Sequence, residues 1–175
     1  MRTVFAISLL ALSITAVSCK KGVTVTHPSF PGTAEGAKAL LAEYVKPGAD
    51  YSSLTKSLRA DPGDYAAVFI GDGAAKVQAV MEPAWNEGKI LMKPVHENQT
   101  ELIVLGATID ELKAGSPNCP PSYKEAAAQM KPGLTVYCFK FVEPGSKNGS
   151  PFDGLMFVNG HWAIFPRPWH ALKGA

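Results

Sequence analysis

The stretch Leu155-Met156-Phe157-Val158-Asn159-Gly160-His161-Trp162-Ala163-Ile164-Phe165 decides the reading of the fold. Two apolar runs of strand length flank Asn159-Gly160, a dipeptide suited to the type I′ turn, in which both central residues take a positive φ. A two-residue turn fixes the register, so that Val158 faces His161, Phe157 faces Trp162 and Leu155 faces Ile164. Leu155, Phe157, Trp162 and Ile164 then share one face, which the pattern assigns to the core. His161 falls on the other face, beside the turn, and reads as a solvated hairpin residue.

Working back from the hairpin, residues 134–142 form the strongest strand pattern in the chain. It sets Tyr137, Phe139 and Phe141 on one face and Leu134, Val136, Cys138 and Val142 on the other, which predicts covering on both sides. Residues 143–150 read as a flexible connection. The unbroken apolar run 102–105 has the length of a buried strand. Between these strands, Thr108 with Glu111 and Ser122 with Glu125 both spell capping boxes, so two short helices are expected around the Pro-rich loop 116–122.

The N-terminal half is helical by pattern. Ala37, Leu40, Leu41 and Tyr44 recur at helical spacing until Pro47-Gly48 ends the run. Asp50 can cap a second helix with Tyr51, Leu54 and Leu58 on one side, and Asp61-Pro62 opens a third bearing Tyr65, Val68 and Phe69. A fourth starts near Asp72 with the stripe Val77, Val80, Met81, Ala84 and Trp85. Pro83 would clash with the carbonyl of Ala79, so this helix is expected to kink or end there. Helices first and strands last give an α+β class, with N-terminal helices packed on a mainly antiparallel, curved C-terminal sheet that ends in the hairpin.

The chain has 175 residues, 46% of them apolar and 18% charged, which fits one globular domain placed at residues 33–170, with 171–175 as a frayed tail. A net charge of +2 is far from the basic stripe that neutralises a phosphate backbone, and nucleic acid is excluded as a partner. Arg2 followed by an apolar stretch from Val4 to Val17 reads as an export signal over residues 1–18. Residues 19–32, interrupted by Gly22, Pro28 and Pro31, read as a tether. The segment Ala16-Val17-Ser18-Cys19 resembles the bacterial lipobox. That resemblance implies acylation of Cys19, cleavage before it and a membrane anchor through the lipid, while cleavage after Ala16 or Ser18 without acylation stays open. Lys20, standing where an inner-membrane retention signal has Asp, implies the outer membrane. Two cysteines then remain, Cys119 and Cys138, and in an exported compartment they are expected to pair; the alternative is a buried Cys138 and an unrelated loop thiol.

The element order, with an aromatic following the turn in Val158-Asn159-Gly160-His161-Trp162, is similar to that of the nuclear-transport-factor-two-like and cystatin-like domains, cone-shaped α+β folds. In those families a sheet wraps helices around a pocket used for binding or for isomerase and dehydratase chemistry, so the resemblance implies a pocket without fixing its use. An enzyme of that kind needs a carboxylate base and an oxyanion donor, for which Asp153 with Tyr137 is the best pair in the chain. The tail Phe165-Pro166-Arg167-Pro168-Trp169-His170 offers Arg167 and Trp169 for partner binding, against a tail that folds back on the sheet. His27, His96, His161 and His170 form no helical pair and no His-Glu-x-x-His, so neither metal nor cofactor is expected. The sequence thus predicts a non-catalytic envelope lipoprotein that binds or assembles with an envelope protein or a small ligand. A pocket enzyme is the alternative.

Overall fold

The computed structural model describes residues 26–173; the export signal, Cys19 and the first part of the tether lie outside the described residues, as do 174 and 175. The helices begin where side chains can take up otherwise unpaired backbone donors. Thr33 accepts from Gly36 N at 3.2 Å ahead of α1 (Ala34–Ala42), which runs on into a 3₁₀ turn at Glu43–Val45. Asp50 accepts from Ser53 N at 3.0 Å ahead of α2 (Tyr51–Lys56). At α3 (Pro62–Val68) Asp64 reaches back to the Asp61 N–H at 2.7 Å.

The next helix, α4 (Gly73–Asn86), contains Pro83 and continues for three residues beyond it, so of the expected kink or end the end does not occur there. Pro83 lies one turn from the end, so only one ladder bond is forgone, and the last turn is held by Gly88 N to Trp85 O at 3.1 Å and Lys89 N to Ala84 O at 2.9 Å. After β1 (Glu101–Thr108), the capping box of Thr108 and Glu111 opens α5 (Ile109–Ala114) as the sequence predicts. The expected second box fails: Ser122 makes no capping bond, and α6 (Tyr123–Ala126) is a single turn followed by a 3₁₀ turn at Ala127–Gln129.

β2 (Thr135–Val142), β3 (Gly149–Val158) and β4 (His161–Ile164) complete an antiparallel sheet in the order β1-β2-β3-β4. The hairpin register is the one read from the turn, Phe157 opposite Trp162 and Leu155 opposite Ile164, with Asn159 and Gly160 at φ 49° and 85°. Trp162 is fully buried, and its Nε1 donates to the Phe30 carbonyl at 3.1 Å. β2 is covered on both faces apart from Lys140 and Thr135. By contrast β1, expected to be a buried strand, is an edge strand with Leu105 41% exposed. Its apolar run reflects one face on the core and the other lining a hollow.

One sheet face, with Tyr137, Phe141, Leu155 and Trp162, packs under Tyr44 and the segment before α1. The other, with Val136, Met156 and Ala163, lies on the side of α3, where Asp64 meets the hairpin residues Asn159 and His161. Two boundaries differ from the sequence reading. The end of the expected tether is packed: His27 bonds to the Ser57 carbonyl, and Phe30 joins the core margin. At the other terminus, 171–173 are not frayed, since α7 (Trp169–Leu172) buries Leu172 against the start of α4.

Candidate functional site

A bulge in β3 builds the site. Tyr137 pairs with Leu155 and Phe139 with Phe152, so Asp153 and Gly154 together stand opposite the single residue Cys138. The extra residue re-aims the strand. Gly154 sits at φ +84°, and a Cβ there would come within 2.2 Å of the Phe165 carbonyl oxygen, so no other residue fits. The tight passage draws the Pro166-Arg167 segment against Asp153, whose Oδ1 accepts from Arg167 N at 2.8 Å and from the Tyr123 hydroxyl at 3.0 Å.

Asp153 is 8% exposed. Burial raises its pKa above the ordinary 3.8, opposed by the bonds from Arg167 N and Tyr123 and by the nearby Arg167 charge. Tyr123 is held far above its usual range by its own burial and then by the Asp153 carboxylate. The pair expected from the sequence does not form. Asp153 meets Tyr123, whereas Tyr137 packs edge-on against Trp162 on the opposite sheet face. Alternation along a regular strand gives no sign of the inserted residue, and α6 was too weakly marked for Tyr123 to stand out.

Two apolar hollows meet at Phe152, Asp153 and Arg167. The larger, about 770 Å³, lies between Ile103, Leu105, Lys140 and Pro151 on the strands and the loop 117–120 with Trp169. The smaller, about 370 Å³, runs under α4 past Val80, Leu91 and Pro166. Cys119 and Cys138 are joined by a disulfide, 5.5 Å between Cα atoms, and both line the larger hollow. The pairing expected from the compartment is therefore present, and it fixes the loop wall to β2.

Arg167 and Trp169 are both at the cleft but in different states. Trp169 is buried edge-on against Tyr123, 5.0 Å between ring centroids, so it is a wall rather than a free anchor. Arg167 is exposed at the rim, with φ +50°, and Lys140 and Lys147 stand beside the same hollow. Among the described residues these three cations form no ion pair. The cleft thus combines an apolar floor with unpaired positive charge and one buried carboxyl group.

His161, read from sequence as solvated, is instead stacked on His27, 3.8 Å between ring centroids, and bonded through Nε2 to the buried Asp64 at 2.9 Å. Asp61, capping α3, lies beside the same pair. No short-range motif could reveal this cluster, because its members come from the segment before α1, the α3 cap and the hairpin. Among the described residues no helix is long and apolar enough to cross a membrane. Comparison of the chain with protein-family models, with curated proteins and with solved structures found no match.

Proposed function

We propose that the chain is a non-catalytic binding module of the cell envelope, anchored through a lipid on Cys19, and that its cleft takes an apolar molecule bearing an anionic group. The observation that carries the ligand class is the larger hollow, where Ile103, Leu105, Phe152 and Trp169 offer apolar surface beside the unpaired Lys140, Lys147 and Arg167. A concave apolar site with a few polar groups at its margin is the common form of a small-molecule site. Helices set against a sheet so as to leave a pocket also accord with the resemblance to nuclear-transport-factor-two-like domains. The anchor rests on the lipobox-like Ala16-Val17-Ser18-Cys19.

Titration of dodecanoate, followed by tryptophan fluorescence, tests the ligand class with dodecanol as the uncharged control. Saturable binding of the acid, weaker binding of the alcohol and loss of the difference in Lys140→Glu support the reading. Equal affinity for both, or none for either, rejects it. Mass spectrometry of the N-terminus from the native host should find Cys19 acylated, and Cys19→Ala should free the domain from membranes.

A pocket enzyme is the second reading, favoured by one observation, the raised pKa of Asp153 at the cleft. Against it, Oδ1 of Asp153 is already committed to Tyr123 and Arg167 N. Isomerase or dehydratase turnover abolished by Asp153→Asn would establish it in place of the binding module.

A further inference from the structure

We propose that His27, Asp61 and His161 form a binding site for one divalent transition-metal ion of the zinc and copper class. One potential ligand atom from each lies within 4.8 Å of the others. Two imidazole nitrogens and a carboxylate oxygen are the donor set that suits these ions, and three protein ligands leave a coordination position for water.

The hydrogen bonds around the cluster call for a positive centre inside it. His27 Nδ1 lies 3.0 Å from the Ser57 carbonyl oxygen, which can only accept, so this nitrogen carries the ring proton. The other nitrogen, Nε2, lies 3.3 Å from Asp61 Oδ2. A neutral His27 therefore aims a bare lone pair at a carboxylate. A metal ion between the two resolves that opposition.

His161 is set up in the complementary way. Its Nε2 donates to Asp64, a fully buried carboxylate that is itself held by Asn159 Nδ2 at 2.7 Å and Asp61 N at 2.7 Å. A carboxylate fixed behind an imidazole selects the tautomer and leaves the other nitrogen, Nδ1, free to ligate. Asp61 is half exposed, so the cluster opens to solvent and an ion has a way in.

The two rings are stacked with 22° between their planes. Both nitrogens cannot address one ion from that arrangement, so binding must turn one ring out of the stack. A bound ion would then join the segment before α1 to the start of β4 and to the α3 cap.

Isothermal titration of Zn²⁺ into the purified, chelator-treated full chain tests the site. One saturable site is expected, weakened at least about tenfold by His27→Ala and by Asp61→Asn, and unchanged by His96→Ala, which lies outside the cluster. Asp61→Asn keeps an oxygen at the helix cap, so its fold should survive, as circular dichroism would record. With Cu²⁺, electron paramagnetic resonance should show two nitrogen ligands in the wild type and one in His27→Ala. Absence of saturable Zn²⁺ binding, unchanged affinity in both variants, or an identical nitrogen count in wild type and His27→Ala would overturn the proposal.

Discussion

Asp153 is a carboxyl group that the fold holds buried at the margin of the cleft. Burial makes the folded chain hold its proton more tightly than the unfolded chain does, so stability falls as pH rises between the ordinary value of 3.8 and the raised one. The loss is complete once the pH stands above the raised pKa and is recovered on acidification through it. Asp153→Asn keeps an oxygen for Tyr123 and Arg167 N but no charge. Thermal melts across a pH series should therefore show the variant gaining on the wild type as pH rises, with the two curves converging as pH falls. A variant that melts lower across the whole series would show that the two hydrogen bonds to the carboxylate outweigh its desolvation. Sequence singled out Asp153 as the carboxylate base that isomerase or dehydratase chemistry needs and paired it with Tyr137 rather than Tyr123, because the partner depends on a bulge that no residue pattern announces.

At the scale of elements, legibility followed locality. The turn and the register of the β3–β4 hairpin were readable because both are specified within eleven residues, and the observed pairing matches; the burial of the face that carries Met156, His161 and Ala163 was not, because α3 and the segment before α1 cover it from elsewhere in the chain. Trp162→Ala should cost about 3–5 kcal/mol in chemical denaturation. His161→Ala removes a partner from the buried Asp64 and should cost about 1–3 kcal/mol, more than a solvated turn residue would. The order of the two reports the register, since a one-residue slip exchanges the faces. The bulge offers a second contrast. Gly160→Ala meets open space and should cost about 1–2 kcal/mol for its left-handed backbone. Gly154→Ala adds a collision with the Phe165 carbonyl and should lower the melting temperature much further. The edge position of β1 and the persistence of α4 past Pro83 were not readable, because what covers a strand or supports a helix end lies elsewhere in the chain.

For the whole molecule, the balance of helix and sheet followed from the order of patterns, whereas the cleft did not. Its walls are strand residues such as Ile103 and Lys140, the loop 117–120 and Trp169, a matter of relative placement that periodicity does not contain. The Cys119–Cys138 bridge ties that arrangement together. It closes a loop of sequence separation 19, for which chain entropy gives roughly 3 kcal/mol of stabilisation. Reduction should lower the melting temperature, and it should also weaken the dodecanoate binding proposed for the larger hollow, because the loop wall is then held to β2 only by its packing. Calorimetry with and without reductant, repeated on a Cys119→Ser, Cys138→Ser double variant that no longer responds to reductant, would separate the bridge from other effects.

The same bridge has a mechanical consequence. When an oxidised molecule is pulled taut from its two ends, tension passes across the sulfur atoms and bypasses the polypeptide between them, so α6 and half of β2 never bear load. With 19 residue steps at ~3.4 Å each shunted by a 5.5 Å crossing, the stretched chain falls short of its reduced length by about 60 Å. In a single-molecule pulling trace, adding a reductant should release that hidden length as one discrete lengthening.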